Sequence, residues 1–314
     1  MRVVAFGGGT GLPVLLRGLR DRVGNLTAVV TVADDGGSSG RLRQELGVAP
    51  PGDVRNCLVA LAGRRKLAEV FNYRFEGRGE LSDHSVGNII IAALSDMAGG
   101  FSEGVEQAAR FLRIKGSVYP SATESLTLVV RYADGTVTRG QSSVYRVGKT
   151  ISEVVVEPAG AEAPGGVISA IEAADVVILS PGSLFTSTIP ALLGAGVREA
   201  LAGFVGPVVY VANAMTQPGE TTGFTVSDHL RALAQHVGPV VTDVLVHSGD
   251  LPRELVARYA VEEATPVEVD REEVERLGVR LREADLFSDE VGTSIRHDAN
   301  RLAKEVCKTV LVRL

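Results

Sequence analysis

Short apolar runs rich in Val, Ile and Ala recur along this chain between segments of helical spacing, and that alternation restricts the fold more than any other feature. Val3–Phe6, Ala28–Ala33, Val176–Ser180, Val208–Ala212 and Val240–Val246 read as strands that are apolar on both faces. Such strands need cover on both sides, which a parallel sheet with crossover helices supplies. Asn56–Ala62, Gly87–Met97 and Gly104–Leu112 read as helices. The second is apolar almost all round and is expected to be buried. Residues 117–157 differ: Thr127–Tyr132, Thr136–Gln141 and Val154–Glu157 are separated by turn signals such as Ala133-Asp134-Gly135, the pattern of antiparallel strands. Gly160–Gly166 reads as a flexible link, and Glu262–Asp285, acidic and laced with Arg, as a solvated face. The expectation is a three-layer α/β domain spanning residues 1–314, with one mostly parallel sheet and a β-rich insertion at 117–157.

Composition narrows the function classes. With 45% hydrophobic and 22% charged residues, the 314-residue chain can bury a large core. Its net charge of −6 argues against a nonspecific nucleic-acid binder, which needs basic surface to neutralise phosphates. Cys57 and Cys307 are too few for a disulfide framework or a thiolate zinc site, and His229, His236, His247 and His297 share no metal-ligand spacing. Met1 runs straight into a strand, and no apolar stretch reaches the roughly 20 residues that span a bilayer. A cytoplasmic protein without membrane insertion is expected.

The motifs that carry chemistry follow the predicted strands, which places them at the carboxyl edge of the sheet, where open α/β folds bind ligands. Gly7–Gly11 leads from the first strand into a helix, and amides there could cradle a phosphate. Leu12 stands where a dinucleotide fingerprint has its third glycine, and no Walker lysine follows. Tight strand-to-helix packing is the other use of such a turn. Asp34 and Asp35, with Ser38 behind them, end the second strand. These acids could hold ribose hydroxyls, bind a divalent cation, act as a general base, or pair with Arg41, Arg43 or Arg55. Asp53 reads as a helix N-cap, while Arg55 and Asn56 exceed what capping needs and suit an anion. Pro181-Gly182-Ser183, followed by Thr186, Ser187 and Thr188 and the helical pattern Ile189–Leu193, reads as a second anion loop or an ordinary cap. Asn213, Thr216 and Gln217 follow another strand; the amide groups of Asn213 and Gln217 both donate and accept, as recognition of uracil or a sugar hydroxyl requires. His84 precedes Ser85–Asn88 and either caps or contacts ligand. No serine sits in a nucleophile-elbow pattern, and neither cysteine has a recognisable histidine partner.

Gly7-Gly-Gly-Thr-Gly-Leu12, Val32-Ala-Asp-Asp-Gly-Gly-Ser-Ser-Gly-Arg-Leu42, Pro50-Pro-Gly-Asp-Val-Arg-Asn56, His84-Ser-Val-Gly-Asn88, Pro181-Gly-Ser-Leu184 and Met215-Thr-Gln-Pro-Gly-Glu-Thr221, in this order, resemble the gluconeogenesis factor family (YvcK). That family shares a superfamily with the 2-phospho-L-lactate transferases (CofD). The resemblance runs from the first strand to beyond residue 247. It implies a Rossmann-like fold and a regulatory protein that binds a UDP-sugar, UDP-N-acetylglucosamine or UDP-glucose, with roles in carbon metabolism and cell-envelope homeostasis. The implied ligand contacts are Gly8, Gly9, Thr10, Gly11, Asp34, Asp35, Ser38, Asp53, Arg55, Asn56, Asn88, Gly182, Ser183, Asn213, Thr216 and Gln217. No cofactor is required on this reading, although related transferases use magnesium. The enzymatic alternative is a CofD-like transfer of 2-phospho-L-lactate or phosphoenolpyruvate onto a deazaflavin, and the weaker one an NAD(P)-dependent dehydrogenase. The expected assembly is a homodimer.

Overall fold

A computed structural model describes residues 1–77, 79, 81–145, 147–287 and 294–311. The strands are β1 (Arg2–Gly7), β2 (Asn25–Val30), β3 (Ser117–Pro120), β4 (Thr127–Tyr132), β5 (Val137–Arg139), β6 (Ile151–Glu157), β7 (Val176–Leu179), β8 (Val208–Val211), β9 (Asp243–His247) and β10 (Arg280–Ala284). Seven of them form one parallel sheet in the order β10-β9-β8-β7-β1-β2-β3. β1, β7 and β8 are almost wholly buried, as their unbroken apolar sequence requires. The chain lays β2 and β3 on one side of β1 and β7 to β10 on the other. The order therefore reverses between β1 and β7, the place where doubly wound sheets open a ligand crevice.

Flanking helices are α1 (Gly11–Leu19), α2 (Gly37–Leu46), α3 (Gly52–Leu61), α4 (Arg65–Asn72), α5 (Val86–Ala98), α6 (Phe101–Leu112), α7 (Gln141–Val144), α8 (Gly165–Ala173), α9 (Val197–Ala202), α10 (Val226–Val237), α11 (Arg253–Val261), α12 (Arg271–Arg276) and α13 (Ala299–Leu311). The antiparallel strands form a separate sheet, β5-β4-β6. Ser117–Pro120 pairs with β2 in the large sheet, so the β-rich insertion proper begins later than residue 117.

Two segments differ from their sequence reading. Gly87–Met97 is not enclosed: Gly87, Asn88, Ile91, Ala92 and Ser95 are buried, while Met97 is 79% exposed. One face of α5 packs on α6, whose Gly104 comes so close that a Cβ there would lie 2.5 Å from the Ser95 Cα. Toward the outer face Ile90 and Leu94 are half-buried while Ala93, Asp96 and Met97 are exposed, which periodicity alone does not reveal. Glu262–Asp285, read as a solvated face, contains α12 and the edge strand β10. Charged side chains are how an edge strand resists further pairing, so its composition hid its structure.

Candidate functional site

The glycine loop after β1 and the Pro181 loop after β7 meet across the β1/β7 crevice. Gly11 is set so tightly that a Cβ would lie 1.8 Å from the Pro181 carbonyl oxygen, which makes it a packing glycine. Gly9 turns the chain with φ of +59°, and only Ser187 Oγ, at 3.9 Å, lies near where a Cβ would point. The Gly9 amide donates to Asp53 Oδ2 at 2.6 Å. Asp53 is thus not the N-cap of α3. Pro51 holds that position, and Asp53, in the first turn, reaches across to β1. The protein packed around it pushes its pKa up to about 6, helped by the neighbouring Asp34 charge and opposed by the Gly9 hydrogen bond and Arg55. A phosphate on Gly9 would meet a carboxylate already there.

Asp34 and Asp35 diverge. Asp34 accepts from the Gly36 amide at 2.9 Å and stays beside Asp53, its pKa raised chiefly by burial. Asp35 turns away and accepts from the Ser142 amide at 2.8 Å, fastening the loop to α7 in the insertion. Among the described residues neither forms an ion pair with the arginines that the sequence offered, although the Arg43 charge acts on Asp34: Arg41 donates to the Ser82 carbonyl at 2.7 Å and Arg43 to Thr127 Oγ1 at 2.7 Å. Arg55 is 5% exposed and donates to Asn56 Oδ1 at 2.6 Å, with Nε unpartnered among the described residues. Burial and Arg74 together lower its pKa to about 10. Ser38, His84 and Asn88 form one buried polar knot. Ser38 Oγ lies 2.9 Å from His84 Nδ1 and accepts from Asn88 Nδ2 at 3.4 Å, while Asn88 Oδ1 has no partner among the described residues. Ser85, not His84, caps α5 by accepting from the Asn88 amide at 3.3 Å.

On the other wall, the Asn213 side chain clamps Gly182, accepting from its amide at 3.0 Å and donating to its carbonyl at 2.7 Å. Gln217 Nε2 donates to Ser183 Oγ at 2.8 Å. Thr216 is turned toward Thr265, whose amide donates to Thr216 Oγ1 at 2.9 Å. The helix expected at Ile189–Leu193 is instead a π turn, Leu184–Thr188, followed by a 3₁₀ turn, Pro190–Leu192. Pro190 has no N–H to continue the first turn. The free groups at the start of the π turn are taken by Glu220, which accepts from the Phe185 amide at 3.2 Å and Thr186 Oγ1 at 2.9 Å. Glu220 is 4% exposed, and burial raises its pKa. Tyr145 reaches in from the insertion, its hydroxyl 3.2 Å from Thr186 Oγ1. Glu220 stood inside a quoted motif without being singled out; Tyr145 had no local signal.

Both loops expected to cradle phosphate are therefore answered by the chain's own carboxylates. What remains open is a cavity of 280 Å³ lined by Thr10, Gly11, Gly182, Gln217, Tyr259 and Arg296, among others. Arg296 supplies a guanidinium to its lining, which suits an anion, while Asp53, bound to the Gly9 amide with Asp34 beside it, lies outside that lining, where it suits hydroxyl groups. Asp34 and Asp53 could share a cation. Among the described residues, no group of three His, Cys, Asp or Glu side chains is placed to hold a metal.

The family model of 2-phospho-L-lactate transferase CofD matches residues 3–287. The chain belongs to the CofD family. It is 44% identical over 306 residues to the gluconeogenesis factor of Halalkalibacterium halodurans, covering 97% of this chain and 95% of that protein. With the gluconeogenesis factor of Bacillus subtilis it shares 42% identity over 308 residues, 96% of each chain. A crystal structure of a Bacillus halodurans protein superposes with a TM-score of 0.94 at 43% identity, covering 99% of both chains. Relatives named gluconeogenesis factor and a near-complete structural match place the chain with those proteins inside the family. Among the described residues, no helix is long and apolar enough to cross a membrane.

Proposed function

We propose that this chain is a regulatory protein of the gluconeogenesis-factor type that binds a UDP-sugar, UDP-N-acetylglucosamine or UDP-glucose, at the carboxyl edge of the sheet, linking carbon metabolism to the cell envelope. The carrying observation is the division of the crevice. Asp53 takes the Gly9 amide with Asp34 beside it, while Thr10, Gly11, Gly182 and Arg296 line a separate open cavity next to that loop. A nucleotide sugar has hydroxyls for the carboxylates and a diphosphate for the cavity. The diphosphate belongs beside Arg296, displaced from the Gly9 amide that Asp53 fills. Asn213, Thr216 and Gln217 line that cavity while they hold its loops in place, Glu220 braces the π turn, and Asp35 is turned to the insertion. Calorimetry should give tighter binding of UDP-N-acetylglucosamine or UDP-glucose than of NAD, with affinity unchanged by chelating magnesium. Equal or tighter binding of NAD would sink the proposal.

One observation favours a second reading, a CofD-like transferase. A carboxyl with pKa near 6 beside a second carboxyl is suited to take a proton from an attacking alcohol. Incubation with a deazaflavin alcohol, a nucleotide-activated phospholactate or phosphoenolpyruvate, and magnesium decides between them. The regulatory reading expects no coupled product by chromatography.

A further inference from the structure

The antiparallel sheet of the insertion ends in β6, whose ladder partner is β4, and α10 answers the opposite side of that edge strand. Gln235 Nε2 donates to the Ser152 carbonyl at 2.7 Å, and His236 Nε2 accepts from the Val154 amide at 2.9 Å. Ser152 and Val154 are alternate residues of the strand, so both groups point off the same edge. His236 Nδ1 lies 2.7 Å from the Ala232 carbonyl oxygen. A carbonyl only accepts, so Nδ1 carries the ring proton; an amide N–H only donates, so Nε2 keeps its lone pair. The neutral imidazole with its proton on Nδ1 is the form that serves both bonds. A further proton would set N–H against N–H. We propose that His236 is a proton-sensitive latch: neutral, it holds the insertion on α10; protonated, it releases β6 and loosens the insertion from the crevice.

The route to the crevice is short. α7 lies between β5 and β6 in the chain; its Ser142 amide donates to Asp35 at 2.8 Å, and Tyr145, just beyond it, brings its hydroxyl 3.2 Å from Thr186 Oγ1. The His236 ring also meets Phe185 of the π turn edge to face, with ring centroids 6.1 Å apart. One imidazole thus touches both the insertion and the turn that receives Tyr145. Around the ring, Glu153 of β6 favours the cation but is itself paired with Arg131 at 3.1 Å, and Glu220 holds the Phe185 amide from the π-turn side. Burial of the ring outweighs Glu153 and the Ala232 carbonyl, and lowers its pKa from 6.5. A base whose folded pKa lies below its unfolded one contributes stability that is complete above pH 6.5 and lost as pH falls through the folded value. The latch works in the same way whatever ligand the crevice takes.

Amide exchange of the full chain, followed by mass spectrometry from pH 7.5 to pH 5 and corrected for intrinsic rates, tests it. Peptides spanning Ile151–Glu157 and residues 141–145 should lose protection by about fivefold or more toward the acid end, the worth of one hydrogen bond, while β1 and β7 keep theirs. In His236→Gln the side-chain carbonyl can accept from the Val154 amide at every pH, so protection of β6 should stay flat. Glu153→Gln removes the charge that favours the cation and should move the loss to lower pH. Unchanged protection of β6 in wild type, an equal loss in His236→Gln, or a loss spread evenly over β1 and β7 would each overturn the latch. If His236→Gln melts below wild type, Glu153→Gln, altered at a half-exposed position, decides alone, and an unmoved midpoint there overturns it.

Discussion

Asp53 is the residue whose environment departs furthest from its sequence reading. A carboxyl raised from 3.8 to about 6 holds its proton more tightly in the folded chain than in the unfolded one. Its contribution to stability is thus complete below pH 3.8 and is lost as pH rises through about 6. The full swing is about 3 kcal/mol, from roughly 1.4 kcal/mol per pKa unit. Asp53→Asn should gain stability relative to wild type, more at pH 7.5 than at pH 4.5, in denaturant titrations at the two values. An equal difference at both would show that Asp53 titrates normally. The adjacent pair Asp34 and Asp35 should separate in the same way that their hydrogen bonds do. Asp34→Asn is expected to cost about tenfold in UDP-sugar affinity, or about 1.4 kcal/mol. Asp35→Asn should leave affinity within twofold while lowering stability by about 1 kcal/mol, through the weakened tie to the Ser142 amide. Calorimetry paired with denaturation distinguishes the two; a reversed pattern would show that Asp35 is the ligand residue.

At the scale of elements, the edge strand β10 is held by charge more than by apolar burial. Asp243 at the start of β9 has a side chain with no exposure and accepts from Arg282 Nε at 2.8 Å across the parallel pair. Removing one member of a buried pair leaves the other uncompensated, at a cost of about 3 kcal/mol. Asp243→Asn should accordingly lower stability by about that amount and speed amide exchange in Arg280–Ala284 ahead of β7 and β8. Uniform exchange across the sheet would contradict it. The charged composition of Glu262–Asp285 made this strand illegible, because an edge strand is specified by its partner and not by apolar periodicity. The opposite error at α5 has the same origin. An apolar helix announces that it could be buried, but which face is covered depends on where α6 lies.

For the molecule as a whole, a ligand bound in the crevice between β1 and β7, where the two halves of the sheet meet, should stabilise the fold as one unit. At a hundredfold excess over Kd the linkage is worth about 2.7 kcal/mol. UDP-N-acetylglucosamine at that level should raise the melting temperature by several degrees, and uridine-free hexose phosphates should raise it less. Absence of a shift at saturating ligand would contradict binding to the folded state.

The alternation of apolar runs with helical spacing was enough, by itself, to specify a mostly parallel α/β sheet, because strands apolar on both faces have no other way to be covered. Strand ends likewise placed Gly9, Asp34, Gly182 and Asn213 at one edge, since topology follows from element order. Their individual roles were decided only in three dimensions. Residue type made Gly9 and Gly182 look like phosphate donors and left Glu220 unremarked. Packing assigned Asp53 to the Gly9 amide, Asn213 to Gly182, and Glu220 to the π turn at Phe185, across sequence separations that no local pattern encodes. Tyr145 shows the limit most plainly. It enters the site from an inserted sheet, and only long-range contact, which depends on how the whole chain minimises buried unpaired polar groups, could bring its hydroxyl to Thr186.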